Sequence, residues 1–311
     1  MARNPVQFQK GLGLAEFNLR YGSEKQCHGA LIQMRWPDGF LCPKCGGGKY
    51  SYSAARRVFQ CSACRAQTTV KAGTILHKSR TPLTKWFLAI YLLTQSKNDI
   101  AALELARQLG VKWDTAWLIK QKLMEAMRQR NHIYKLAGDV QIDDAYLGGE
   151  RPGKPGRGAA NKTPFVIAVE TRENKPVYTQ LRRVPGFTCA AIRSYATANI
   201  APGSRVISDG LACFTAVTEA GMDHRAIVTG GGRPSAPELK WVNTGLGNIK
   251  SAITGTCRHC SHQHADRYLA AYEYRFNRRF QLDKMVERLA SVTMLTAPKP
   301  YHAIIDAEIS G

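Results

Sequence analysis

The chain has 311 residues, room for two or three domains, and its hydrophobic fraction of 44% argues against a globally disordered polymer. Lys and Arg number 44 against 23 Asp and Glu, a net charge of +21. A field of that size costs folding energy through self-repulsion, so it fits a polyanionic partner, nucleic acid first and an anionic membrane surface second.

Taken along the chain, residues 8–34 pattern as helix, with Phe17, Tyr21, Ala30, Leu31 and Met34 at apolar positions, and Trp36-Pro-Asp-Gly-Phe40 reads as a turn. Residues 37–78 then hold Cys42-Pro-Lys-Cys45 and Cys61-Ser-Ala-Cys64, two knuckles separated by fifteen residues. Each knuckle offers two sulfurs from one tight turn, and four thiolates meet the tetrahedral demand of one structural Zn²⁺. Lys44, Lys49, Arg56, Arg57 and Arg65 surround these ligands, so the ribbon could face phosphate.

Residues 79–132 read as mostly helical. The run Trp86 to Leu93 is far shorter than the roughly 20 residues that span a bilayer. With no signal-like apolar stretch at the N-terminus, a cytoplasmic location is expected, where nine cysteines suit metal binding and buried thiols (Cys27, Cys189 and Cys213) rather than disulfides. Ile100–Leu109, the turn Gly110-Val111 and Lys112–Leu123 form a helix-turn-helix pattern. Lys112, Thr115, Lys120 and Gln121 are its candidate DNA contacts; an ordinary helical hairpin with a solvated basic face is the alternative.

From about 138 the signals turn to strands: 140–143, 164–170, 177–181 and 205–208, with a crossover helix near 187–198 and terminal helices after 262. A Gly-, Pro- and Arg-rich stretch, 148–158, separates the first two. An α/β layer architecture is expected for 138–311. Asp143 ends one apolar strand and Asp209 another, where a carboxylate can hold metal at a domain surface. Two such strands side by side could bridge two Mg²⁺ ions. Strand-to-turn punctuation is the alternative for either residue. Asp144 should point to the opposite strand face.

In order and wording these segments resemble insertion-sequence transposases of the DDE superfamily, the ISXO-type subgroup with an N-terminal zinc ribbon and a D-D-N-K or D-D-E-K signature. The resemblance is carried by the cysteine quartet, Gly73-Thr-Ile-Leu76, Trp86–Tyr91 and Ala106–Trp117. It continues through Ile142-Asp-Asp-Ala-Tyr-Leu-Gly-Gly149, Val206–Gly210, Trp241-Val-Asn-Thr244 and Tyr274–Arg279. It implies a multidomain chain: an N-terminal helical region 1–36, a small β zinc ribbon 37–78, an all-α helix-turn-helix region 79–132 and a ribonuclease-H-like catalytic domain 138–311. By the resemblance, Asp143, Asp209 and Asn243 hold two Mg²⁺ (or Mn²⁺) ions. Lys250, seven residues past Asn243, contacts phosphate from the same helix face. Glu238 is the alternative third ligand, and Asn243 could be only a helix N-cap. Gly245 and Gly247 weaken that helix by roughly 1 kcal/mol each.

Lys250 and the arginines Arg275, Arg278 and Arg279 join the expected DNA-contacting set. Cys257-Arg-His-Cys-Ser-His-Gln-His264 could hold a second zinc, although the family pattern does not ask for it. The implied activity is metal-dependent cleavage and strand transfer on double-stranded DNA, at terminal inverted repeats and a target, by a homodimer or larger assembly. A non-catalytic DNA-binding regulator with a degenerate nuclease domain, and a nuclease without strand transfer, are the rival functions.

Overall fold

The computed structural model describes residues 10–131, 133–148, 162–228, 236–257 and 261–305. Most of the Gly-, Pro- and Arg-rich stretch 148–158 lies outside them. The described chain groups into two compact units. The first comprises residues up to Ser96, Ala102–Ala126 and Phe280–Ile304; the second is chiefly Met127–Arg279.

In the first unit the N-terminal zone is two helices rather than one, α1 (Leu14–Tyr21) and α2 (Glu24–Arg35). Ser23 starts the second: its hydroxyl accepts from the Gln26 N–H at 3.3 Å while the Gln26 side chain accepts from the Ser23 N–H at 2.9 Å. That reciprocal pair satisfies two otherwise orphaned donors. A three-stranded antiparallel ribbon follows: β1 (Tyr50–Ser53), β2 (Val58–Cys61) and β3 (Gln67–Thr68). Its buried core is small, Phe40, Cys42, Phe59 and Cys61, too little apolar area to hold a fold alone. Helix α3 (Leu83–Gln95) begins after Pro82, and α4 (Ala102–Leu109) and α5 (Trp113–Asn131) are joined through Gly110 at φ +58°.

The second unit is built on a five-stranded mixed sheet. Strands β4 (Asp139–Leu147), β5 (Thr163–Arg172) and β6 (Lys175–Arg183) form an antiparallel meander. Helix α6 (Cys189–Asn199) crosses over to β7 (Arg205–Ser208), which lies parallel to β4, and β8 (Asp223–Ala226) extends the edge. The spatial order is β6-β5-β4-β7-β8. Period-two alternation sends Val140, Ile142, Val166 and Ala168 to one face, against Ile192 and Ala196 of α6 and the 3₁₀ segment Ala212–Ala220. Ala145, Leu147, Phe165, Ile167 and Val169 go to the other, against α7 (Lys240–Thr256) and α8 (Ala265–Asn277). A mixed sheet between two helical layers is the α/β layer architecture expected for this half of the chain.

One expectation needs correction: 138–311 is not one continuous unit, because Phe280–Ile304 groups with the first, where α9 (Met285–Leu295) packs against α2 and α3. Strand β8 had no apolar signature to announce it, its four residues being half-buried or exposed.

Candidate active site and metal centres

Backbone register brings the two aspartates together. The parallel ladder pairs Asp139 with Arg205, Val140 with Val206 and Gln141 with Ile207. Two residues further along that offset, Asp143 comes beside Asp209, the first residue beyond β7. Asp143 does not end its strand, which continues to Leu147. What ends is its neighbour, so beyond Gln141 the β7 side of β4 is open. Gly210, at φ +86°, turns the chain there, and the Asp209 carboxylate accepts the Leu211 N–H at 3.1 Å.

Asp143, Asp144 and Asp209 each bring one carboxylate oxygen into a group whose members lie within 4.8 Å of one another. Asp144 therefore departs from the expectation that it turns away: strand parity puts it on the other face, yet at this open edge its carboxylate reaches the same group. Burial, then the charge of Asp209, push the Asp143 carboxyl up to about 7, against the pull of the Asp144 N–H and the Lys250 ammonium. Crowded, half-buried like charges are the signature of a site short of positive charge.

Asn243 and Lys250 lie on α7, and two contacts dock that helix beside Asp143. Leu239 at its N-cap offers no side-chain hydrogen bond. Instead Gln141, on β4 and on the same face as Asp143, accepts the N–H groups of Trp241 and Val242 at 2.9 and 3.1 Å. Those are the second and third helical residues, the donors an N-cap satisfies. One turn later a Cβ on Gly245 would meet Ile167 Cδ1 at 2.8 Å, and Ile167 is the cross-strand partner of Asp143. Gly245, which on propensity only weakens the helix, thus permits its close approach to the strands. Asn243 is half-buried and Lys250 exposed. Glu238, in the exposed 3₁₀ turn Pro237–Leu239, is not among the grouped acids. Sequence reasoning missed Gln141; a lone amide at even spacing from Asp143, inside an apolar strand, was its only signal.

In the ribbon, the Sγ atoms of Cys42, Cys45, Cys61 and Cys64 form a second group within 4.8 Å, with Cys42 to Cys64 and Cys45 to Cys61 both 3.6 Å. The N–H groups of Cys45 and Lys44 lower the Cys42 thiol to about 6, and the Cys64 N–H lowers Cys61. Against the pull of the Gly47 N–H, the crowded Cys64 and Cys61 sulfurs push the Cys45 thiol up to about 12, so the quartet does not lose its protons together unless a cation offsets the charge, as the thiolate ligands of zinc require.

Several expected contacts are elsewhere. Lys112 is exposed and Thr115 half-buried, but Lys120 and Gln121 are 0% exposed. Helix α5 is buried continuously from Ile119 to Met127, so neither residue presents a DNA-facing group. Arg275 is 7% exposed and faces Asp99 at 3.9 Å. Arg278 stacks 3.7 Å over the Tyr274 ring and donates to the Tyr274 carbonyl at 3.1 Å. Arg279 donates to the carbonyls of Val177 at 3.0 Å and Phe276 at 2.7 Å. Arg275 is thus buried away from any phosphate, while Arg278 and Arg279, both half-buried, fasten the end of α8. Cys27 and Cys213 are buried as expected, whereas Cys189 is exposed at the start of α6. Of the suggested second zinc site, residues 258–260 lie outside the described ones. Cys257, His262 and His264 belong to no metal-holding group among the described residues.

Residues 135–277 match the ISXO2-like transposase domain, and residues 22–67 match the transposase zinc-ribbon domain. A protein of transposable element ISH50 from Halobacterium salinarum, itself uncharacterized, is 31% identical over 129 residues, 40% of this chain and 42% of that protein. The chain thus aligns with about two fifths of that relative's length. Among solved structures, the catalytic core domain of BIV integrase is similar over 43% of this chain and 81% of its own, at 19% identity and a TM-score of 0.28. The Mos1 strand transfer complex is similar over 69% and 78%, at 14% identity and the same TM-score of 0.28. Among the described residues, no helix is long and apolar enough to cross a membrane.

Proposed function

We propose that this chain, which joins a transposase zinc-ribbon domain to an ISXO2-like transposase domain, is a DNA transposase that binds terminal inverted repeats and cuts and joins DNA strands. The observation that carries the reading is the convergence of Asp143, Asp144 and Asp209 at the open edge of β4, in a chain of net charge +21.

Clustered carboxylate oxygens suit a hard divalent cation. Asp143, Asp209 and the Asn243 carbonyl would hold two Mg²⁺ or Mn²⁺ ions, which when bound activate water and stabilise the leaving oxygen of an in-line phosphoryl transfer. The other roles belong to the chain. Asp143 and Asp209 supply the negative charge, and Asn243 adds a neutral oxygen. Asp144 is an accessory acid. Lys250, exposed on α7, takes a DNA phosphate near the cut. Gln141 and Gly245 fix α7 against the strands, so the third ligand keeps its distance from the first. Cys42, Cys45, Cys61 and Cys64 hold one structural Zn²⁺ that stands in for the core the ribbon lacks. The implied partners are double-stranded DNA and a second copy of the chain, since two element ends must be joined in concert.

The test separates binding from cutting. Asp143→Asn and Asp209→Asn should each abolish metal-dependent cleavage of a duplex carrying the element's ends, with end-binding within about threefold of wild type, because the removed charges are acidic. Folded variants that lose binding together with cleavage would contradict this division of labour. A wild type that binds the ends yet never nicks them in Mg²⁺ or Mn²⁺ would favour the DNA-binding regulator instead.

A further inference from the structure

Strand β8 lies at an edge of its sheet and carries no apolar face, yet it reaches the Asp209 turn in three ways. The ladder between β4 and β7 ends where Gln141 pairs with Ile207. The ladder between β7 and β8 runs one residue further, to Ser208 opposite Ala226, and the Ile227 N–H then donates to the Ser208 carbonyl at 2.9 Å. The last backbone hold before Asp209 therefore comes from the β8 side. The second contact is between side chains: Ser208 Oγ lies 2.9 Å from His224 Nε2 and accepts the Gly210 N–H at 3.4 Å. The third is apolar. A Cβ on Gly210 would stand 3.0 Å from Val228 Cγ2, so the chain just beyond β8 closes over the left-handed turn that Gly210 makes at φ +86°.

These contacts converge on one short segment. Ser208 is 0% exposed and shares with Val206 the face that packs toward α6, whereas Asp209 meets the carboxylates of Asp143 and Asp144. His224 is half-buried and belongs to no metal-holding group among the described residues, so it is not a candidate ligand. What it touches is a buried hydroxyl, which has one proton to give and two lone pairs to fill. With one bond to His224 and one to the Gly210 N–H, that hydroxyl is fixed in direction. The turn it fixes is the one that presents Asp209, whose carboxylate accepts the Leu211 N–H at 3.1 Å on the far side of Gly210.

We propose that His224 is a positioning residue for Asp209: through Ser208 it holds the Ser208–Gly210 turn in the geometry that lets the Asp209 carboxylate join Asp143 on a divalent cation. The proposal rests on the reading of Asp143 and Asp209 as metal ligands. It gives the edge strand β8 a purpose that its composition does not announce. Gln141 ties α7 to β4 on the Asp143 side of the site, and His224 does the corresponding work on the Asp209 side. The competing role for His224 is to stabilise the sheet edge alone, which would appear in the melting temperature and leave metal affinity untouched.

The experiment titrates Mn²⁺ into the full-length, zinc-loaded protein without DNA. His224→Ala and Ser208→Ala should each weaken Mn²⁺ binding about tenfold, the order of loss seen when a supporting hydrogen bond is removed at other metal sites. The double variant should bind Mn²⁺ no worse than either single one, because both act through one contact. His224→Gln, whose amide reaches about as far as Nε2, should recover most of the affinity. Mn²⁺ binding unchanged in a folded His224→Ala would overturn the proposal and leave the metal site standing. Losses that multiply to about a hundredfold in the double variant would overturn it too, since the two residues would then act separately. An equal loss in His224→Gln would likewise refute it and assign the effect to packing of the edge. Wild type that binds Mn²⁺ no better than Asp209→Ala would instead sink the metal-site reading, and the proposal with it.

Discussion

Two glycines in α7 look alike in the sequence and are not alike in the structure. A side chain on Gly245 would press into Ile167, itself 0% exposed, whereas Gly247 has nothing within 4 Å of a built Cβ and no positive φ. Gly245→Val should therefore destabilise the second unit by about 1–3 kcal/mol through overpacking. Gly247→Ala should stabilise it by roughly 0.5–1 kcal/mol through helix propensity and chain entropy. Denaturant melts of the two variants check both signs. Glu273 gives a residue-scale prediction in pH. Its Oε2 accepts from the Leu181 N–H at 2.9 Å and the Arg182 guanidinium at 2.6 Å, while Oε1 is buried without a partner. Burial pushes its carboxyl up from 4.5 to about 7 against the pull of Arg182. Between those values the folded protein keeps a proton that the unfolded chain has released, so stability is full at low pH and falls as pH rises through the window. The loss is on the order of 3 kcal/mol. Glu273→Gln should make that stretch of the stability profile shallower, the raised Asp143 carboxyl supplying the slope that remains; a variant with the wild-type slope between pH 4.5 and 7 would remove Glu273 as a cause.

At the scale of elements, the candidate site depends on how a strand and a helix are tied. Helix α7 has no N-cap of its own and borrows one from β4 through Gln141, two residues before Asp143. Gln141→Leu should cost about 1–2 kcal/mol by leaving two helix donors unsatisfied. It should also weaken Mn²⁺ binding, read by titration without DNA, about tenfold, as loss of a supporting hydrogen bond does at other metal sites. Gln141→Glu keeps an acceptor oxygen at the same reach and should recover most of that affinity; Mn²⁺ binding unchanged in Gln141→Leu would show that the cap only stabilises the helix. The elements themselves were largely legible. Runs of β-branched and aromatic residues announced β4, β5 and β6, and two Cys-x-x-Cys knuckles announced the ribbon. Contacts distant in sequence were not legible: the cap from Gln141, the register that sets Asp143 beside Asp209, and the return of α9 to the first unit. The DNA-facing residues of α5 were misread because a basic amphipathic helix looks solvated until its packing is known. Lys120 is fully buried where the pattern suggested a groove contact, and the arginines after Tyr274 are spent on carbonyls and rings.

For the whole molecule, the charge is unevenly spent. Acids are absent from 39–98, which spans most of the ribbon, and three of the 23 found elsewhere crowd together where β7 ends beside the central strand β4, in the other unit. That division matches a protein that grips phosphate with one part and handles it chemically with another. The composition calls for a polyanionic partner, and the proposed DNA substrate is one. In the proposed function, Asp143, Asp209 and Asn243 form one metal-dependent site that cuts and joins DNA. The most direct test incubates the wild type and Asp209→Ala with labelled duplexes carrying the inverted repeats that flank the element, in Mg²⁺ or Mn²⁺, and resolves cleaved and joined strands. Metal-dependent 3′-hydroxyl ends and joined products are expected from the wild type, and neither from the variant. Cleavage that persists in Asp209→Ala would place the chemistry elsewhere in the chain and contradict the account.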